Sequence, residues 1–155
     1  MSAWAAGEQA QLSQLAARLR DQLRVAEQAF HRLATHPDTA RLSDDLAPFL
    51  DDIQETFGSM GALVGALTKN ATAVDTPMAA AFLCVDLIGT GAGLRAMELL
   101  EEDPAAQAGS PLRPTLDAAT KEARAAMQLV FALRDLVWRA RDRPHTGAAS
   151  DSPTS

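Results

Sequence analysis

Tyrosine is missing from the 155 residues, aromatics make up only 5%, and there is a single cysteine. With so few aromatic and β-branched residues beside Ala and Leu, strand-forming material is short, and a sheet is excluded as the main architecture. One thiol, Cys84, excludes an intramolecular disulfide framework and reads as a small core hydrophobe. A basic region followed by an apolar run is missing at the N-terminus, so no secretory signal is expected and a cytoplasmic location is. Positive charge is also scarce. The formal balance of −6 disfavours a broad nucleic-acid-binding face but leaves room for a local basic patch.

The motifs of common chemistries are missing as well. No Gly-x-x-x-x-Gly-Lys-Ser/Thr loop occurs, and Gly89-Thr-Gly-Ala-Gly falls inside a helical stretch instead of between strand and helix. Ser, His and Asp show no nucleophile-elbow context. A di-iron bundle needs Glu-x-x-His pairs on inward faces, whereas Glu27 and His31 stand four apart, and no Asp-x-Asp-x-Asp loop invites calcium. The spacing of Arg139 and His145 is similar to the Arg/His pair of HEPN-type ribonucleases, but Pro144 breaks the helical frame such a pair requires. The expectation is therefore a protein without catalytic residues, metal or cofactor.

What the chain does contain is 47% hydrophobic residues, enough for one core in one domain. The most apolar stretch, residues 76–94, carries one formal charge, Asp86. Thr76-Pro77 reads as N-cap and first helical residue, because Thr accepts an orphan N–H and Pro has none to lose. Met78, Phe82, Val85, Ala92, Ala96 and Leu99 form one apolar stripe on this helix; Leu83, Leu87, Leu94 and Met97 form another. A helix apolar on several faces is expected to be buried. The run is also long enough to cross a bilayer, yet a central Asp86 would cost about 2.5–3.5 kcal/mol there, so a soluble core helix is the better reading.

Three further helices follow from three-and-four spacing. Leu12, Leu15, Leu19, Leu23, Ala26, Phe30 and Leu33 mark the first, ended by His36-Pro37. Leu46, Phe49, Ile53, Phe57, Met60, Val64 and Leu67 mark the second; Ser43 offers a cap, and Pro48 moves the true start toward Ala47. Lys69-Asn70 should close it. Leu116, Ala119, Ala123, Met127, Val130, Leu133 and Val137 mark the fourth, which begins near Pro114 and stops at Pro144. The sum is an all-α, up-down-up-down four-helix bundle over residues 1–144, with a disordered tail over 145–155.

Candidate sites follow from this layout. Gly58, Gly61 and Gly65 on the second helix and Gly89, Gly91 and Gly93 on the third each cost about 1 kcal/mol against Ala, which suggests close helix approach or a cavity between the two. Asp86 is a candidate polar anchor or interface residue. Leu83, Leu87, Leu94 and Trp138 are candidate interface residues if one chain leaves them uncovered. Glu98, Glu101 and Glu102 gather at one pole, at a helix end that disfavours anions, while Arg139, Arg141 and Arg143 gather at the other. The leading expectation is a non-enzymatic bundle acting through protein–protein contacts as a homodimer or adaptor. An apolar-ligand bundle with its site between the second and third helices is the alternative. A third reading is an oligomeric nucleic-acid accessory factor using the Arg cluster. Ala, Arg and Leu richness suits a bacterial source.

Overall fold

A computed structural model describes residues 3–69 and 75–143. Among them there is no strand, and four long helical segments pack as an all-α bundle. The first, α1, spans Glu8–Ala34, and every residue of its apolar seam except half-buried Leu15 is buried. Its C-terminus closes on Thr35, whose hydroxyl donates to the His31 carbonyl at 2.8 Å. The His36 ring then accepts from the Asp38 N–H at 3.0 Å and starts a 3-10 turn at Pro37, where a helix could not continue.

The second helix, α2, spans Ala47–Lys69 and follows a 3-10 turn over Asp44–Leu46. Ser43 caps that turn by accepting from the Asp45 N–H at 3.4 Å, so the entry is two-stepped and Pro48 falls in the first turn of α2. Ile53, Phe57, Met60, Val64 and Leu67 face the core. Asn70 and the segment from Pro144 onward, including the expected tail, lie outside the described residues.

The third helix begins as the sequence implies: Thr76 accepts from the Ala79 N–H at 3.1 Å and Pro77 takes the first position. It is not one uniform helix. α3 spans Pro77–Gly91, a 3-10 segment covers Ala92–Arg95, and α4 covers Ala96–Leu100. The last helix, α5, spans Arg113–Asp142 and lies along both α1 and α3. Gly91 sits beside Met127 and Glu101 beside Arg124, so α3–α4 and α5 run in opposite senses.

Two polar ties hold the ends. Asp103 is 8% exposed; one carboxylate oxygen accepts from the Ser43 N–H at 3.0 Å and the other from the Ala105 N–H at 2.9 Å. One side chain thus joins the α1–α2 loop to the turn after α4. Arg113 supports the same turn, donating to the Ala106 carbonyl at 3.2 Å and pairing with Asp117 at 2.9 Å. At the other end Glu8 is ion-paired and hydrogen-bonded with Arg143, tying the start of α1 to the end of α5.

Candidate interaction face and groove

The third helical segment is buried on one face only, which corrects the expectation of all-round burial. Ala80, Cys84, Leu87, Gly91, Leu94 and Met97 face the core. Cys84 belongs there, and burial pushes its thiol pKa up to about 11. On the opposite side Met78, Phe82, Val85 and Leu99 stand exposed, Phe82 at 69%. The reason is geometric: α2 and α5 flank this helix, and among the described residues no further element lies outside it to cover the remaining stripe.

The 3-10 turn shapes that stripe. A 3-10 helix turns about 20° more per residue than an α-helix, so four residues add about 80°. On an unbroken helix Leu99 would stand about 100° from Phe82; with the turn it comes to within about 20°. Met78, Phe82, Val85, Gly89, Ala92 and Leu99 therefore form one exposed row. Asp86 lies beside it, exposed and not in the core.

The glycines divide differently from the sequence expectation. Gly58 and Gly61 face outward, Gly65 is half-buried, and a methyl group added at any of them or at Gly89 would meet nothing within 4 Å. Close approach occurs instead at Gly91 and Gly93. A Cβ on Gly91 would lie 2.7 Å from the Met127 sulfur, and one on Gly93 would lie 2.5 Å from the Thr56 hydroxyl oxygen. The helices thus touch where a cavity was the alternative expectation. Leu83, Leu87, Leu94 and Trp138 were expected at an interface if uncovered; Leu87 and Leu94 are core, while Leu83 and Trp138 are half-buried against it.

A groove of about 360 Å³ does exist, but between α3–α4 and α5. Its two ends differ. Toward the middle of α3 it is lined by Ile88, Ala92, Met127 and Phe131, all apolar. Toward α4 it is lined by Arg95, Glu98, Thr120 and Arg124. Thr120 is 4% exposed, and its hydroxyl oxygen, closed to the groove as well as to solvent, has no hydrogen-bond partner among the described residues. No signal in the sequence marked this residue, because its place on the inner edge of α5 reads as ordinary core.

No family model, curated protein or solved structure matches this chain. The site must therefore be read from its own chemistry. Of the acidic pole, Glu98 and Glu102 are exposed, while Glu101 lies 4.0 Å from Arg113 and 3.9 Å from Arg124. Those guanidiniums supply the compensation that a C-terminal carboxylate needs. The basic pole is more neutral than its sequence suggests. Arg141 pairs with Asp142 at 2.8 Å and stacks over Trp138 at 4.5 Å, Arg143 is taken by Glu8, and Arg139 is exposed. Among the described residues no three His, Cys, Asp or Glu side chains converge as a metal site would require. The 24-residue run Pro77–Leu100 is long and apolar enough to cross a membrane by length and composition, a test that core helices also pass.

Proposed function

We propose that this protein acts through protein–protein contact, and that its partner is a second copy of itself docked along the exposed row of the third helical segment. The observation that carries this reading is the row itself: Met78, Phe82, Val85 and Leu99 are large, apolar and 43–69% exposed on one line. Contiguous apolar surface of this kind marks an interaction site. Two features favour self-pairing. The bulk is asymmetric about the middle of the row, with Phe82 and Val85 before Gly89 and only Ala92 and half-buried Ala96 directly after it, while Met78 and Leu99 stand at the two ends. An antiparallel pair with its two-fold axis at Gly89 sets Phe82 over Ala96 of the second copy and Val85 over the Ala92–Gly93 step, so large meets small on both sides of the axis. A two-fold interface must be self-complementary in just this sense. Phe131, 38% exposed at the edge of the neighbouring groove, widens the patch toward the roughly 1,200 Å² that a stable interface needs.

Light scattering on the purified chain tests the proposal. The expected result is a dimer that Phe82→Asp converts to a monomer of unchanged helical content, since Phe82 contributes little to the core, with the melting temperature falling only by the contribution of association. A wild-type chain that remains monomeric up to high micromolar concentration overturns it, as does a dimer indifferent to Phe82→Asp.

A further inference from the structure

We propose that the cleft between α1 and α5, bounded by Arg18 and Arg139, binds a phosphate group, as the free ion or as a small phosphate monoester. This inference does not rest on self-association, because neither helix carries the exposed apolar row. The two helices are antiparallel neighbours, with Glu8 against Arg143 at one end and Gln22 against Glu122 further along. Between these ties lies a cleft of about 210 Å³, lined by Gln11, Gln14, Leu15, Arg18, Leu136 and Arg139. The α1 members recur at steps of three and four and so share one face, and Leu136 and Arg139 stand three apart on α5.

No carboxylate lines this cleft, although the chain has 20 Asp and Glu against 14 Lys and Arg. On α5, Arg113, Arg124, Arg134, Arg141 and Arg143 each have a carboxylate within 4.0 Å. Arg18 and Arg139 have none among the described residues. The acids nearest to them in sequence are engaged elsewhere. Asp135 and Asp142, one turn to either side of Arg139, pair with Arg134 at 3.0 Å and Arg141 at 2.8 Å. Asp21, one turn after Arg18, stands 3.9 Å from Arg20. Glu8 feels the field of Arg139, but its hydrogen bond goes to Arg143. Both cleft guanidiniums are exposed, so an anion reaches them without opening the fold.

The charge selects the ligand. Two like charges on one cleft repel, and an anion between them removes that repulsion. A carboxylate would neutralise only one guanidinium, whereas a phosphate monoester carries about −1.5 to −2 at neutral pH and matches both. Its oxygens accept the N–H forks of two guanidiniums arriving from different helices, and the Gln11 and Gln14 carboxamides offer further donors. Half-buried Leu15 and buried Leu136 place apolar surface beside the charges, which strengthens the attraction. At about 210 Å³ the cleft is smaller than the roughly 300–1,000 Å³ of sites for drug-sized ligands, so it suits an ion or a small ester.

The test is a titration of the full-length protein with inorganic phosphate, at constant ionic strength set by sodium chloride, followed by NMR of the arginine side chains. The expected result is saturable movement of the Arg18 and Arg139 signals, with Arg24, exposed on α1 but outside the cleft, unmoved. Arg18→Gln and Arg139→Gln should each weaken phosphate at least about tenfold, and Arg24→Gln should leave it unchanged. All three side chains are exposed, so the variants should keep the helical content of the wild type. Acetate, with one charge, should bind at least about tenfold more weakly than phosphate. Methyl phosphate separates the two sources: binding at least as tight as inorganic phosphate assigns the cleft to esters, and weaker binding assigns it to the free ion. The proposal is overturned by shifts that do not saturate, by equal movement of Arg24, by acetate binding as tightly as phosphate, or by unchanged binding in both cleft variants. Each of these would mean an adventitious ion only.

Discussion

At the scale of single residues, small side chains have opposite roles that only their surroundings reveal. Gly61 sits mid-helix with open space where a Cβ would go, so Gly61→Ala should stabilise the fold by about 0.5–1 kcal/mol in urea unfolding. Gly93 faces Thr56, whose hydroxyl is held by the Asp52 carbonyl at 2.8 Å and has little freedom to withdraw. Gly93→Ala should therefore destabilise by about 1–3 kcal/mol, the cost of overpacking. Equal effects of the two substitutions would contradict the packing described. Cys84 is the other informative residue: with its thiol at about 11 and buried, it should resist a thiol reagent at mildly alkaline pH until the protein unfolds. Stoichiometric labelling of the folded chain would show that the third helix opens locally.

At the scale of elements, the turn after α4 depends on one carboxylate. Asp103 accepts the Ser43 and Ala105 N–H groups and is nearly enclosed. Asp103→Ala should cost about 1–2 kcal/mol, since it removes two charge-assisted hydrogen bonds that join the loop before α2 to the turn after α4. Hydrogen exchange at Ser43 and Ala105 should rise with it; loss of stability without faster exchange there would place the cause elsewhere. The 3-10 segment over Ala92–Arg95 is the other element with a large consequence. By adding rotation in mid-helix it keeps Leu99 in line with Phe82, and so turns a set of separate apolar residues into a continuous face.

At the scale of the whole molecule, the first and last helices are joined at their ends by Glu8 and Arg143. The hydrogen bond from Arg143 holds the Glu8 carboxyl below its ordinary range. A carboxylate with a lowered folded-state pKa stabilises the fold above its unfolded value and loses that contribution as pH falls through the folded one. Arg143→Ala should thus lower the melting temperature at neutral pH by an amount equivalent to less than about 1 kcal/mol, and the difference from wild type should vanish in acid. A difference that persists in acid would assign the effect of Arg143 to packing.

The sequence by itself determined the helical class, the seams of the first, second and last helices and several element ends. Each follows from local rules: Thr76-Pro77 opens a helix, His36-Pro37 closes one, and Leu12, Leu19, Leu23, Ala26, Phe30 and Leu33 recur at the helical period. Which of two apolar stripes on the third helix would be covered was not legible, because both have helical spacing and burial depends on neighbours distant in sequence. The same holds for the glycines, where a lost Cβ looks alike whether it meets Thr56 or solvent. The groove and the unpaired Thr120 arise only where α3–α4 and α5 run side by side, so tertiary structure alone decided them.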